Sequence, residues 1–296
     1  MRFIYSIIII CFLAFYSYCV QVSSQEIKHI QPVSARDTRN QYFIELLNLA
    51  LSKTVDSHGP YSLVPALSKM TQSRAFLSLG RQLDVVWSMT SIERETLFTP
   101  VRIPLLKGLL GHRIFIIRNG EEQRFEGINT LEQLRELVAG QGHDWPDTQI
   151  LRSNGLKVQI STSYESLFMM LKKGRFDYFP RGVNEPFEEL ATRPEFDLAI
   201  EPHLLIRYPA PIFYFTSNEH TELATRIQAG LQKAIEDGSF NKLFYTHPTT
   251  KKIFELANIA DRTVIDLNNP LLTEKTKIIV NYSKLWYRPG EEALRQ

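Results

Sequence analysis

Short apolar runs alternate along the chain with stretches in which apolar residues recur every three or four positions. In the clearest of these stretches, one face carries Phe43, Leu46, Leu47, Ala50 and Leu51, which predicts a helix. Further helices are predicted at residues 71–79, 131–138, 164–173 and 223–235. The apolar runs predict strands at residues 27–30, 61–64, 84–87, 113–117, 148–151, 177–179, 198–200 and 212–215. Strands that alternate with helices indicate an α/β protein with parallel sheets.

Glycines and one capping motif mark the ends of these predicted helices. Gly80, Gly140 and Gly174 each follow the last apolar position of a helix, where the left-handed backbone conformation favours glycine. Thr130 and Gln133 form a capping box at the start of a helix. The residues between these helix ends are therefore predicted to form loops and strands.

One short pattern occurs twice. Gly80 and Gly174 each end a predicted helix, an arginine follows each of them, and Asp84 and Asp177 each open an apolar strand. Chance would explain the pattern on its own. Together with the alternating elements around each copy, it indicates two lobes of related construction.

The first 24 residues have the features of a secretory signal peptide. A short basic start precedes an apolar run over residues 3–20, and Val22 and Ser24 stand at the −3 and −1 positions of a cleavage site before Gln25. The apolar run is also at the lower length limit for a spanning helix, so an uncleaved anchor is the alternative. We expect a protein exported to the periplasm.

Composition narrows the function classes. The 296 residues are 44% hydrophobic and 22% charged with a net charge of +2, which is typical of a globular protein and gives no nucleic-acid footprint. Both cysteines, Cys11 and Cys19, lie in the predicted signal peptide, which excludes disulfides, thiol catalysis and cysteine metal sites from the exported part.

No pattern of catalytic residues is found in the sequence. The histidines do not pair at metal-ligand spacing, and neither a Gly-x-Ser-x-Gly elbow nor a phosphate-binding loop occurs. Asp144 and Asp147 flank Trp145 and form a conceivable carboxylate pair, although a polar loop explains them better. We therefore predict no catalytic residue, no metal and no cofactor.

Nine side chains are predicted to bind a ligand. All but Arg94 lie at or near the end of a predicted strand, where a parallel sheet opens onto a cleft. Arg94 is included because its planar guanidinium suits a carboxylate or phosphate. The nine side chains are Arg36, Trp87, Ser88, Thr90, Arg94, Arg152, Ser153, Tyr178 and Arg181.

Several of these residues also have an ordinary structural interpretation. Trp87 either stacks on a ligand or packs in the core. Arg94 either clamps a carboxylate or phosphate, or pairs with an acidic neighbour on a helix surface. Arg152 and Ser153 form either an anion-binding loop or a plain turn. If Arg181 points inward, both lobes carry positive charge and an acidic ligand is favoured; otherwise it is a surface arginine.

The order of several loose motifs resembles the periplasmic solute-binding proteins of the polar amino-acid class, known as family 3. The motifs lie at residues 80–84, 90–94, 98–100, 129–134, 171–179 and 223–244. The resemblance covers about residues 26–246, which is most of the predicted exported protein.

The resemblance implies an α/β fold of two lobes, each with a central mixed sheet flanked by helices, joined by two hinge strands. A ligand would bind between the lobes, which would close around it by bending at the hinge. The implied organisation is a signal peptide at 1–24, a first lobe at 25–113 and 206–296, a second lobe at 114–205, and a C-terminal extension from about residue 248.

The resemblance also implies roles for individual residues. Members usually carry an arginine that grips the α-carboxylate of the ligand six residues before a phenylalanine, and here Arg94 precedes Phe98 by four. An acidic residue for the amine of the ligand is expected just after the second-lobe strand, where Glu185 is the nearest acid. These departures argue against an ordinary free amino acid as the ligand.

Taken together, the sequence predicts an exported, monomeric solute-binding protein that captures a small polar, anionic ligand for a membrane transporter or a membrane sensor. A periplasmic enzyme that uses the same fold on a carboxylic acid is the first alternative. An interaction module with a vestigial cleft is the second.

Overall fold

The computed structural model describes residues 24–32, 34–37, 39–282 and 285–287. Except for Ser24, the predicted signal peptide lies outside these residues, and so do both cysteines. Within the described ranges, no helix has the length and apolar character needed to cross a membrane.

Helices and strands alternate over most of the chain. The helices are α1 (Gln41–Ser52), α2 (Val55–His58), α3 (Gln72–Leu77), α4 (Ile92–Leu97), α5 (Leu131–Leu134), α6 (Pro146–Ser153), α7 (Tyr164–Lys172), α8 (Pro186–Ala191), α9 (Thr221–Glu236), α10 (Ser239–Thr246), α11 (Pro248–Leu256) and α12 (Glu274–Tyr282). The strands are β1 (Gln25–His29), β2 (Tyr61–Pro65), β3 (Val86–Met89), β4 (Thr99–Val101), β5 (His112–Arg118), β6 (Val138–Gly142), β7 (Lys157–Ser161), β8 (Phe179–Gly182), β9 (Leu198–Ile200), β10 (Leu204–Arg207), β11 (Ile212–Thr216) and β12 (Thr263–Asp266).

These strands form two groups of sheets, one in each lobe. In the first lobe, β1 pairs with β2 in parallel, and β11 lies antiparallel between β3 and β4. In the second lobe, β6 pairs with β7 in parallel, and β5 pairs antiparallel with β8 and β9. The predicted two-lobed α/β architecture with mixed sheets is confirmed.

Helix α1 packs in the first lobe through the apolar face that the sequence pattern predicts. Its predicted apolar face, from Phe43 to Leu51, is buried and faces helix α9. The two helices approach so closely that a Cβ atom at Gly230 would lie 1.9 Å from the carbonyl oxygen of Ala50. The glycine in α9 therefore permits a contact that any side chain would block.

The repeated glycine–aspartate pattern has the same structure in both lobes. The Asp84 N–H donates to Lys28 O at 2.9 Å, and the Lys28 N–H returns a bond to Asp84 Oδ2 at 2.7 Å. Asp177 makes the equivalent pair of bonds with Val138, at 2.8 Å each. Each aspartate thus joins the residues just before a strand, β3 or β8, to a strand earlier in the same lobe, β1 or β6, so the repeat reflects related construction.

Two predictions about the second lobe were wrong. Residues 148–151 were predicted as a strand but lie in α6, because Pro146 occupies the first helical turn and Ile150 and Leu151 bury a helical face. The helix predicted for residues 131–138 stops at Leu134. Val138 and Gly140 instead belong to β6, which pairs with β7.

Three strands run side by side where the lobes meet, and we call residues 112–113, 204–207 and 263–266 the hinge ribbon. β10 pairs antiparallel with the start of β5 and in parallel with β12. β12 lies in the predicted C-terminal extension. The extension therefore adds a third strand to the two predicted hinge strands.

Candidate functional site

A cavity of about 440 Å³ lies between the two lobes. The first lobe lines it with the loop after β1, with α3 and with β3, and the second lobe lines it with the start of α6, the residues after β7 and the end of β8. Arg113 of the hinge ribbon and the nearby Leu110 also line the cavity.

Two aromatic rings form an apolar part of the first-lobe wall. Trp87 is buried on β3 and stacks on Phe43, with ring centroids 5.8 Å apart and planes inclined by 27°. Its indole Nε1–H donates to Asn40 Oδ1 at 3.2 Å, which fixes the ring. Trp87 therefore both packs in the core and faces the cavity, so the two interpretations of this residue are compatible.

Arg94 is buried beside this wall among uncharged oxygens. Its Nη1 donates to Ser88 Oγ at 2.6 Å and to Met89 O at 2.7 Å. Its Nη2 donates to Gln72 Oε1 at 2.9 Å and points at Asp144 O at 3.5 Å. Burial lowers the pKa of Arg94 to about 10, and the charge of Asp144 offsets only part of that effect.

In the second-lobe wall, Arg181 is held by carboxylates. Its guanidinium contacts Glu189 at 2.7 Å and Glu185 at 2.7 Å, and its central carbon lies 5.0 and 4.8 Å from the ring centroids of Trp145 and Phe179. Burial opposes the ionisation of Glu189, but the charge and hydrogen bonds of Arg181 outweigh burial and lower the pKa of Glu189.

At the hinge end of the cavity, Arg113 joins two more acids. Its Nη2 contacts Asp147 Oδ1 at 2.5 Å and its Nη1 contacts Glu185 Oε2 at 3.3 Å. Glu185 Oε2 also accepts the Gly182 N–H at 2.8 Å, and Asp147 accepts the Tyr208 hydroxyl. The acid expected to bind the amine of a ligand is thus already occupied by protein donors.

Contacts across the mouth hold the lobes together. Ser34 Oγ donates to Glu165 Oε1 at 2.7 Å, and the guanidinium carbon of Arg39 lies 4.1 Å from the centre of the Tyr164 ring. On the α3 side, the Ser73 N–H donates to Asp144 Oδ2 at 3.0 Å. Direct contacts of this kind on two sides of the cavity describe a closed state.

Four of the nine predicted residues gather at the cavity. Trp87, Ser88 and Arg181 line it, and Arg94 contacts two residues that do. Of the two orientations left open for Arg181, the structure has the inward one, but its charge is compensated by Glu185 and Glu189. Four cations and five carboxylates line the cavity, so the predicted surplus of positive charge is not found there. These charged residues are Arg39, Lys69, Arg113, Arg181, Asp37, Asp144, Asp147, Glu165 and Glu185.

The other five predicted residues lie elsewhere. Thr90 is buried with its hydroxyl on Glu95, and Tyr178 packs against core aromatic rings. Arg152 and Ser153 are exposed on the last turn of α6, because the segment before them is a helix and not a strand. Arg36 is exposed at the mouth and pairs with Glu195.

Sequence reasoning missed several residues of the cavity. Gln72, Trp145 and Arg113 carry no motif, and their positions depend on partners far away in the chain. Asp144 and Asp147 were noted as a pair but assigned to a polar loop, whereas both line the cavity. The available signal was Pro146, which marks a helix start and places both acids at its N-terminal end.

Among the described ranges, no three His, Cys, Asp or Glu side chains are grouped so that they could hold a metal ion.

Comparison with known proteins finds similarity in structure alone. No protein-family model matches the chain, and no curated protein matches its sequence. An ancestral arginine-binding protein bound to glutamine has a TM-score of 0.58 and 16% identity, over 77% of this chain and 99% of that one.

Two further solved structures have the same fold. One is a Salmonella typhimurium periplasmic binding protein with high arginine specificity, with a TM-score of 0.54 and 15% identity over 74% of this chain and 97% of that one. The other is an ancestral amino-acid-binding protein, a precursor of cyclohexadienyl dehydratase. It has a TM-score of 0.52 and 14% identity over 74% of this chain and 93% of that one. The resemblance seen in the sequence is therefore confirmed at the level of the fold.

Proposed function

We propose that this chain is an exported solute-binding protein that captures a small polar ligand between its lobes and presents the closed form to a membrane partner. The observation that carries the proposal is the cavity of about 440 Å³, which is lined from both lobes and bridged at its mouth. Its volume is within the range of about 300–1,000 Å³ typical of small-molecule sites. The partner is a transporter or a sensor, and we propose a monomer.

The ligand we propose carries a carboxylate. Arg113 and Arg181 already have carboxylate partners, whereas Arg94 has no carboxylate within ion-pair distance among the described residues. Arg94 is therefore the cation with most to gain from an anionic ligand group. Because the charges of the lining nearly balance, one carboxylate fits better than several.

The ligands of the similar structures support this proposal. The solved structure with the TM-score of 0.58 holds glutamine, and arginine is the ligand for which the Salmonella protein is specific. Both are amino acids with one α-carboxylate. The stack of Trp87 on Phe43 offers an apolar surface for the remainder of such a ligand.

A ligand screen tests the proposal. Thermal unfolding would be measured with amino acids, dicarboxylates, sugar acids and small peptides, because a solute at 100 times its Kd adds about 2.7 kcal/mol to the stability. We expect at least one carboxylate-bearing solute to raise the Tm without being consumed. The absence of stabilisation by every carboxylate would contradict the proposal.

The same screen addresses an enzymatic alternative. One similar structure is a precursor of cyclohexadienyl dehydratase, so this fold is connected with an enzyme. In this cavity, however, Asp147 and Glu185 are both held by Arg113, which does not favour a free general acid or base. Product formation during the screen would support the enzyme, and binding without turnover supports the solute-binding protein.

A further inference from the structure

The side chain of Gln72 occupies the place where two donors converge. Gln72 is the first residue of α3 and lines the cavity. Its Oε1 accepts from Arg94 Nη2 at 2.9 Å and from Ser88 Oγ at 3.1 Å. One oxygen thus receives a guanidinium donor and a hydroxyl donor from the first-lobe wall. A carboxylate oxygen of a ligand would make the same two contacts.

Among the described residues, this arrangement leaves Arg94 without a carboxylate within ion-pair distance. Its exposure is 8%, and all its hydrogen-bond acceptors are uncharged oxygens of Ser88, Met89, Gln72 and Asp144. A buried charge is costly unless it is paired. Hydrogen bonds between two charged groups are also roughly twice as strong as neutral ones. A carboxylate is therefore a better partner for Arg94 than the amide of Gln72.

Gln72 is placed so that it can move away. Within the described residues, its Nε2 makes no hydrogen bond to the protein, and its side chain lies at the edge of the cavity at the start of a short helix. Turning the side chain away breaks only the two bonds to Oε1. A ligand carboxylate would replace both of them.

We propose that Gln72 is an internal competitor for the carboxylate site on Arg94 and Ser88, and that it sets which solutes bind there. The proposal rests on the proposed function, because it requires a carboxylate ligand in this cavity. A solute must replace the amide oxygen of Gln72 to reach Arg94. Solutes without a carboxylate gain nothing from that exchange, so Gln72 sharpens the preference for carboxylates.

Two substitutions at this position test the competition in opposite directions. Gln72→Ala removes the competitor, and we expect carboxylates to bind at least about tenfold more tightly. Gln72→Glu makes the competitor a carboxylate. We expect this variant to bind the same ligands at least about tenfold less tightly and to have a higher Tm without a ligand. Gln82→Ala, at an exposed glutamine of the first lobe, is the matched control and should leave the affinity unchanged.

The probes are pairs that differ in the carboxylate alone: L-arginine with agmatine, and L-glutamine with 4-aminobutanamide, measured by isothermal titration calorimetry. The gain in Gln72→Ala should be confined to the amino acids, and it should disappear when Arg94→Ala is added. Circular dichroism and the Tm check that each variant is folded.

The outcomes separate this inference from the proposed function. If Gln72→Ala binds the amino acids less tightly or as tightly as the wild type, Gln72 is a ligand contact or a bystander and the competition is refuted, while the binding function stands. If neither the wild type nor Gln72→Ala binds either amino acid or any other carboxylate, both proposals fail. A failure of Gln72→Glu to weaken binding also refutes the competition.

Discussion

The buried arginines around the cavity differ in what surrounds them. Arg113 and Arg181 each contact two carboxylates, so their charges are neutralised within the protein. Among the described residues, the hydrogen-bond acceptors of the Arg94 guanidinium are all neutral oxygens. A sequence shows the number of arginines but not this difference, which depends on residues from both lobes. The difference explains why one arginine remains suited to an anionic ligand group.

Replacing Arg94 tests its role directly. We expect Arg94→Ala to weaken a carboxylate ligand by about 1–3 kcal/mol, since hydrogen bonds to charged groups contribute amounts of this size. The measurement is the Kd of L-glutamine or L-arginine by calorimetry. Arg152→Ala is the control, because Arg152 is exposed on α6 away from the cavity. Equal affinities in Arg94→Ala and in the wild type would remove Arg94 from the site.

The Glu189–Arg181 pair predicts how stability responds to acid. Although burial alone would raise the pKa of Glu189, Arg181 lowers it below the ordinary value of 4.5. A carboxyl group whose pKa is lower in the folded state stabilises the protein above the unfolded pKa. That contribution is lost as the pH falls through the folded pKa. We therefore expect the free energy of unfolding to fall as the pH drops below about 4.5.

Glu189→Gln is the variant for this prediction. It should lower the free energy of unfolding at pH 7 by about 3 kcal/mol, at the low end of the range for breaking a buried ion pair. It should also flatten the acid side of the stability curve measured by urea denaturation. If the free energy of unfolding of Glu189→Gln falls below pH 4.5 as steeply as that of the wild type, the Glu189–Arg181 pair is not the source of the acid sensitivity.

The sequence located residues that are close to one another in the chain. Trp87 and Ser88 lie on β3 and line the cavity, and Arg94 follows on α4, where it donates to Ser88. Tyr178 was misplaced because alternation decides the face, and its ring faces the core against Phe115. Arg113 was missed because its partners are distant in sequence.

At the scale of the elements, the C-terminal segment adds contacts to the hinge ribbon and to both lobes. β12 pairs along β10, and the Asn268 N–H donates to Asn154 Oδ1 of the second lobe at 3.0 Å. On the first lobe, Thr273 and Thr276 donate to Glu95 at 2.9 and 2.6 Å. Because this segment bonds to both lobes and adds a ribbon strand, we expect it to restrain bending at the hinge ribbon.

Arg262 anchors the C-terminal segment, and we expect the removal of its side chain to destabilise that segment. The guanidinium donates to Glu201 O at 2.6 Å, to Leu204 O at 3.0 Å and to Ala257 O at 2.7 Å. Arg262→Ala leaves these buried carbonyls without their donor, and we expect a loss of about 2–4 kcal/mol of stability. Hydrogen exchange should rise in β12 and β10.

Arg207→Ala provides the comparison for that experiment. Arg207 pairs with Asp266 on the same two strands, but both side chains are largely exposed, so the pair contributes about 1 kcal/mol at most. If Arg262→Ala and Arg207→Ala have equal effects on exchange in β12, the buried anchor is not what holds the ribbon.

The early end of α5 has a non-local physical cause. The capping box of Thr130 and Gln133 forms as predicted, but it starts a single turn, because Val138 finds a parallel partner in β7. Local signals fix where α5 starts. Where it ends depends on pairing with a strand that comes later in the chain, and a local pattern does not contain that information.

At the scale of the whole molecule, the two lobes meet in a closed state. The Ser34–Glu165 and Ser73–Asp144 bonds join them on different sides of the cavity. We expect a ligand bound in the cavity to leave more easily when these contacts open. Closure around a solute is therefore the central claim, and the hinge ribbon is where the bending would occur.

The most direct test is the distance between the lobes with and without a solute. Both native cysteines lie in the predicted signal peptide, so in a chain expressed from Gln25 onward spin labels attach only at introduced cysteines. Ala35→Cys and Lys173→Cys are exposed positions in different lobes. Electron–electron double resonance would measure the distance between the two labels in the protein without a solute and with L-glutamine, L-arginine or succinate, whichever raises the Tm most. We predict that the solute narrows the distances to one short population. An identical distribution with and without a solute that binds would contradict the account.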